Sequence, residues 1–123
     1  ALNLNYGQKA VLKQSDNNKE SFIELNLEYA RSWAAVDRAL KEALITVNDL
    51  DRDQGIFFVE FSKQEEQKGF IRRMFTSESF KGNYQVIVKE VNENTCMVTI
   101  VSDGEDAKLF ERDLLSEINQ SLS

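Results

Sequence analysis

An open α+β fold, an antiparallel sheet with two main helices packed on one face, is the architecture that three features of this 123-residue chain predict. Two segments carry apolar residues at helical spacing, one in the first half and one running to the C-terminus. Before and between them lie runs that alternate apolar and polar residues, as half-buried strands do. The last four strands are joined by turns and loops rather than by helices, so an antiparallel sheet needs no parallel crossover, and both helices on one face close a single core. The predicted order is strand, helix, four strands, helix.

Residues 1 to 20, ALNLNYGQKAVLKQSDNNKE, are polar, Asn-rich and weakly patterned, which predicts a linker or N-terminal arm ahead of a domain over 21–123. Phe22 to Leu27 then reads as the first strand, with Ile23, Leu25 and Leu27 on one face. ARSWAAVDRALKEAL follows, and Trp33, Val36, Leu40, Ala43 and Leu44 recur three and four residues apart, which makes an amphipathic helix. Ile45 to Leu50 is a short strand, and IFFVEF a longer one whose Phe57, Val59 and Phe61 share a face.

The stretch KQEEQKGFIRRMFTSESFKGN is long, charged and irregular, and Lys63 to Gly82 is predicted as a loop with room for a helical turn or two. YQVIVKEV and TCMVTIV form a hairpin around Asn92, Glu93 and Asn94, with Tyr84, Val86 and Val88 facing inward beside Cys96, Val98 and Ile100. Ser102 and Glu105 have the spacing of a capping box, which predicts a helix starting there. Its inner face is Ala107, Phe110, Leu114, Ile118 and Leu122, reinforced by Leu115.

Composition removes most chemistry. The chain has no His, hence no imidazole base, no imidazole metal ligand and no Ser-His or Cys-His nucleophile. Its single Cys96 has no internal disulfide partner and sits in a strand pattern as a small hydrophobe. A net charge of −6 argues against binding nucleic acid, which needs a clustered basic face. The five glycines are isolated, so no phosphate-cradling loop exists, and no cofactor is expected.

The acidic stretch DLDRDQGIFFVE mimics a calcium loop, with Asp49, Asp51, Asp53 and Glu60 in a twelve-residue frame. The frame fails at its sixth position, where Gln54 replaces the required glycine, and Glu60 falls on a strand that carries it away from the aspartates. A β-turn with Gly55 at positive φ is predicted instead, and no metal site. Loops as long as Lys63 to Gly82 are often functional, and this one holds Arg72, Arg73 and Phe75, residue types that carry interface energy. These three are the candidate interaction residues, with packing over the sheet edge as the equal alternative.

The ordered run from Phe22 to Phe61 also resembles a known family. A strand, a helix bearing Trp33, Val36, Ala39 and Leu40 as W-x-x-V-x-x-A-L, the strand Ile45 to Leu50, a polar turn ending Gln54-Gly55 and a further strand are similar to the helix-grip domains of the BamC (NlpB) lipoproteins. The later GNYQVIVKEV strengthens the likeness, which spans roughly residues 15 to 122.

The resemblance implies a helix-grip fold, the C-terminal one of two in that family. It implies a non-enzymatic accessory role in the BAM complex, which assembles β-barrel proteins into the Gram-negative outer membrane. The expected partners are other subunits of that machinery and not nucleic acid. The family is outer-membrane and lipid-anchored, with the domain in the periplasm or at the cell surface and the anchor outside this chain. In helix-grip folds the groove between helix and sheet is the natural recess, here lined by Trp33, Phe57, Phe61, Phe110 and Leu114, although each of these reads first as plain core. A small apolar ligand held there is the alternative function.

Overall fold

The computed structural model describes residues 10–14, 20–64 and 79–122. The elements are β1 (Ala10–Gln14), β2 (Ser21–Leu25), α1 (Tyr29–Glu42), β3 (Thr46–Asp51), β4 (Ile56–Gln64), β5 (Ser79–Asn92), β6 (Thr95–Ser102), α2 (Glu105–Lys108) and α3 (Glu111–Leu122). The strands form a six-stranded sheet in the order β1-β2-β6-β5-β4-β3. Every neighbouring pair is antiparallel. The predicted α+β class and its helix-bearing antiparallel sheet are what is observed.

Alternation along the strands places one apolar set toward the helices. Ile23 and Leu25 of β2, Phe57, Val59 and Phe61 of β4, Tyr84, Val86 and Val88 of β5, and Cys96 and Val98 of β6 are all buried. The register lines them up across the sheet: Ile23 faces Val98 and Val98 faces Val88, while Ile100 faces Val86 and Val86 faces Phe57. Onto this surface α1 lays Trp33, Val36, Ala39 and Leu40, and α3 lays Leu114, Leu115, Ile118 and Leu122. Burial of these large side chains, at about 1.5–3 kcal/mol each against full exposure, is the main force holding the helices down.

Three local features depart from the sequence reading. The first lies in the stretch 1–20, where Ala10–Gln14 pairs with β2 as an added edge strand instead of continuing as linker or arm. Its signal is short because only Ala10 is buried, while Leu12 is 36% exposed at the sheet margin. The second concerns the predicted loop from Lys63 to Gly82, which is entered from both sides by strand: β4 runs to Gln64 and β5 starts at Ser79.

The third is the predicted capping box. Ser102 remains in β6, opposite Tyr84, so the helix begins two residues later behind Gly104 and has no side-chain cap. The Ser102 hydroxyl donates to the Glu111 carboxylate instead. The helix is also broken, because Leu109 and Phe110 donate to Asp106 and Ala107, three residues back, and this tight turn separates α2 from α3.

Helix α1 ends in a Schellman motif, with Ile45 N–H bonded to Leu40 O and Leu44 N–H to Lys41 O. The left-handed position that this motif requires is held by Leu44, at φ 61°, in place of the usual glycine.

Candidate functional site

The recess between helix and sheet is closed by its own side chains. Trp33 stacks on Phe57 with ring centroids 3.9 Å apart and planes 17° apart. Phe61 meets Tyr84 edge-on at 6.2 Å. Phe57 and Leu114 are fully buried, Trp33 and Phe61 nearly so, and Phe110 is half-buried against the same cluster. The five residues named for the recess are therefore packed core.

The acidic stretch folds as the predicted turn. Asp51 Oδ1 accepts the Gln54 N–H at 3.2 Å, Asp49 Oδ1 accepts the Leu50 N–H at 2.8 Å, and Gly55 takes φ 75°. Glu60 lies along β4 with its carboxylate 3.5 Å from Lys81 Nζ. No group of carboxylates or Cys among the described residues is arranged to hold a metal ion. Arg72, Arg73 and Phe75 lie outside the described residues. Cys96 is completely buried and free, as its strand pattern predicts.

Among the described residues, two open surfaces bear on function. The sheet face away from the helices carries rows such as Asp51, Ile56, Ile87 and Thr99, and Asp49, Phe58, Gln85 and Val101. Ile56, Phe58 and Ile87 are half-buried and Val101 is 45% exposed, so this face is mixed rather than oily. Ion pairs join neighbouring strands, Lys13–Glu24 between β1 and β2 and Lys81–Glu60 between β5 and β4.

The second surface is a cleft of about 500 Å³ where β6 ends, walled by Ile100 and Ser102 of β6, Lys108 and Leu109 of the α2 turn, and Arg112 and Leu115 of α3. Glu20 and Ser21 close its other side. Leu109 stands 76% exposed at its mouth. The wall is fixed from behind, since the Tyr84 hydroxyl donates to Ala107 O at 2.6 Å and pins α2 to the sheet. Burial pushes the Tyr84 phenol up to about 12, with the carboxylates of Glu111 and Asp113 adding to the shift. The sequence reading missed this cleft because it has no motif. Its one signal is Leu109, an apolar residue that stands outside the inner stripe of the terminal helix.

The family model for the outer membrane protein assembly factor BamC-like C-terminal domain matches residues 11–123. This chain belongs to that family. Among curated proteins, the outer membrane protein assembly factor BamC of Accumulibacter regalis is 27% identical over 111 residues, covering 81% of this chain and 29% of that protein. The chain thus spans less than a third of the length of this relative. The match begins at residue 11, so the BamC-like domain takes in most of β1.

Proposed function

We propose that this BamC-like domain serves the assembly of outer-membrane β-barrel proteins as a non-enzymatic accessory, binding other subunits of the machinery through its surface. The observation that carries this reading is the closed recess. With Trp33 stacked on Phe57 and Leu114 fully buried, the space in which a helix-grip carrier would hold an apolar molecule is taken up by the chain itself. Family membership supports the outer-membrane setting, and a lipid anchor holds the full-length protein at that membrane.

Arg72, Arg73 and Phe75 contribute to this contact through their residue types, two consecutive cations and an aromatic residue two positions on. Affinity purification of the tagged full-length protein from Gram-negative envelopes tests the reading. Recovery of the assembly subunits, reduced when Arg72→Glu and Arg73→Glu are combined, is the expected result. Recovery of no assembly subunit by the unaltered protein would contradict it.

A further inference from the structure

The sheet is split at one end. Strand β2 pairs with β6 only from Leu25↔Cys96 to Ile23↔Val98, yet it continues to Ser21, which stays paired with Gln14 of β1. Strand β6 meanwhile continues to Ser102 along β5. From Thr99 onward, β6 therefore has a strand neighbour on one side only. The cleft of about 500 Å³ occupies the other side.

The direction of the backbone groups there follows from the antiparallel ladder. Asp103 N–H donates to Asn83 O on β5 at 3.0 Å. Residues along a strand alternate sides, so Val101 and Thr99 also turn to β5, whereas the Ser102 N–H and both polar groups of Ile100 turn toward the cleft. Val98 obeys the same alternation, because its cross-strand partner Val88 bonds Gly55 on the β4 side and leaves Val98 facing β2. Two donors and one acceptor, at strand spacing, thus turn away from β5 toward the side of the cleft.

The sheet's outer margin at β3 does not offer the same template. Its register shifts between Val47 and Asp49, and Asp49 and Asp51 stand along it, features that discourage strand pairing. The cleft has neither device. Its α-helical wall presents Lys108 and Arg112, both exposed and with no ion-pair partner among the described residues, in a chain of net charge −6. Glu111, the carboxylate that shares this wall, accepts the Ser102 hydroxyl. Glu20 stands on the β2 side, so the two exposed cations of the cleft both lie on the helical wall. Leu109 and Leu115 add an apolar seat between.

We infer that this cleft receives one extended segment of a partner protein, which adds as a short strand along Ile100 to Ser102 and sets an acidic side chain against Lys108 and Arg112. Main-chain bonds to Ile100 and Ser102 supply affinity, and an apolar residue beside the acidic one fits against Leu109. This inference rests on the reading of the domain as an interaction module, and it specifies the form of the partner segment.

The test is selection of short linear peptides from a display library against the 123-residue chain, followed by titration of the isotope-labelled protein with the enriched peptide. The expected peptide combines acidic and apolar residues, shifts the amide signals of Ile100 and Ser102, and slows their hydrogen exchange. Lys108→Glu with Arg112→Glu, both at exposed positions, weakens binding about tenfold, and Leu109→Ser weakens it separately. Failure to enrich any peptide, peptides that perturb the open sheet face instead, or unchanged affinity in the charge-reversed variant would overturn the proposal. If the full-length protein still recovers assembly subunits after such a failure, only the strand-addition site is lost and the module reading stands.

Discussion

Trp33 of α1 lies flat on Phe57 of β4, with ring centroids 3.9 Å apart, and this stack fills the space between the first helix and the centre of the sheet. Phe57 is completely buried and Trp33 is 8% exposed. The recess is thus filled by the chain's own side chains.

The stack predicts strong coupling. Trp33→Ala should cost about 3–5 kcal/mol of folding stability, as removal of large core aromatics does. A double-mutant cycle with Phe57→Leu, followed by denaturant unfolding, should give a coupling energy of about 0.5–1.5 kcal/mol. Titration of the unaltered protein with apolar dyes should leave Trp33 emission unchanged. Saturable quenching would mean that a ligand reaches the recess.

Gly55 closes the β3–β4 turn, and its carbonyl accepts the Val88 N–H at 2.7 Å. A Cβ there would stand 2.3 Å from Val88 O, at a backbone φ of +75°. Gly55→Ala should therefore lower stability by at least about 2 kcal/mol, because the clash is with backbone and adds to the left-handed strain. Thermal unfolding checks it, and a change within a few tenths of a kcal/mol would refute the tight approach.

Leu44 presents the opposite case. It holds a left-handed position at φ 61° while its side chain is 89% exposed, so it contributes strain and little packing. Leu44→Gly should raise stability by roughly 0.5–1 kcal/mol through relief at the Schellman end of α1. A loss of stability on chemical denaturation would show that this leucine packs in solution.

Tyr84 predicts an alkaline limit. Its folded pKa of about 12 lies above the ordinary value of 10.0, so the folded state holds the phenolic proton more tightly than the unfolded chain. Its contribution is complete below about pH 10 and is lost as pH rises toward 12, where the unfolded chain ionises first. Unfolding measured across that window should show a steeper fall in stability for the wild type than for Tyr84→Phe. At neutral pH the variant should lose about 1 kcal/mol with its bond to Ala107 O. Equal slopes in the two proteins would remove Tyr84 as the source.

Most of the fold was legible because strong periodicity survives tertiary context. The alternation in β4, β5 and β6, the α1 stripe from Trp33 to Leu40 and the acidic turn stand where the pattern puts them, whereas Leu44, assigned to that stripe, lies exposed past the end of the helix. What failed was local chemistry overruled by pairing. Ser102 has the spacing of a cap, but the length of β5 keeps it in the ladder opposite Tyr84. Ala10–Gln14 buries one residue and so leaves almost no pattern, since an edge strand draws its order from β2. The cleft was invisible for a related reason: it arises where β2 parts from β6, and register is not written in either strand alone.

The most direct measurement of the central claim, that this domain works by surface contact within the assembly machinery, is site-specific photo-crosslinking in living cells. A photoreactive residue at position 109, where Leu109 is 76% exposed at the cleft mouth, should capture a subunit of the β-barrel assembly machinery in the full-length protein. Positions 72, 73 and 75 serve as parallel sites. Absence of any such capture from all four positions would contradict the account.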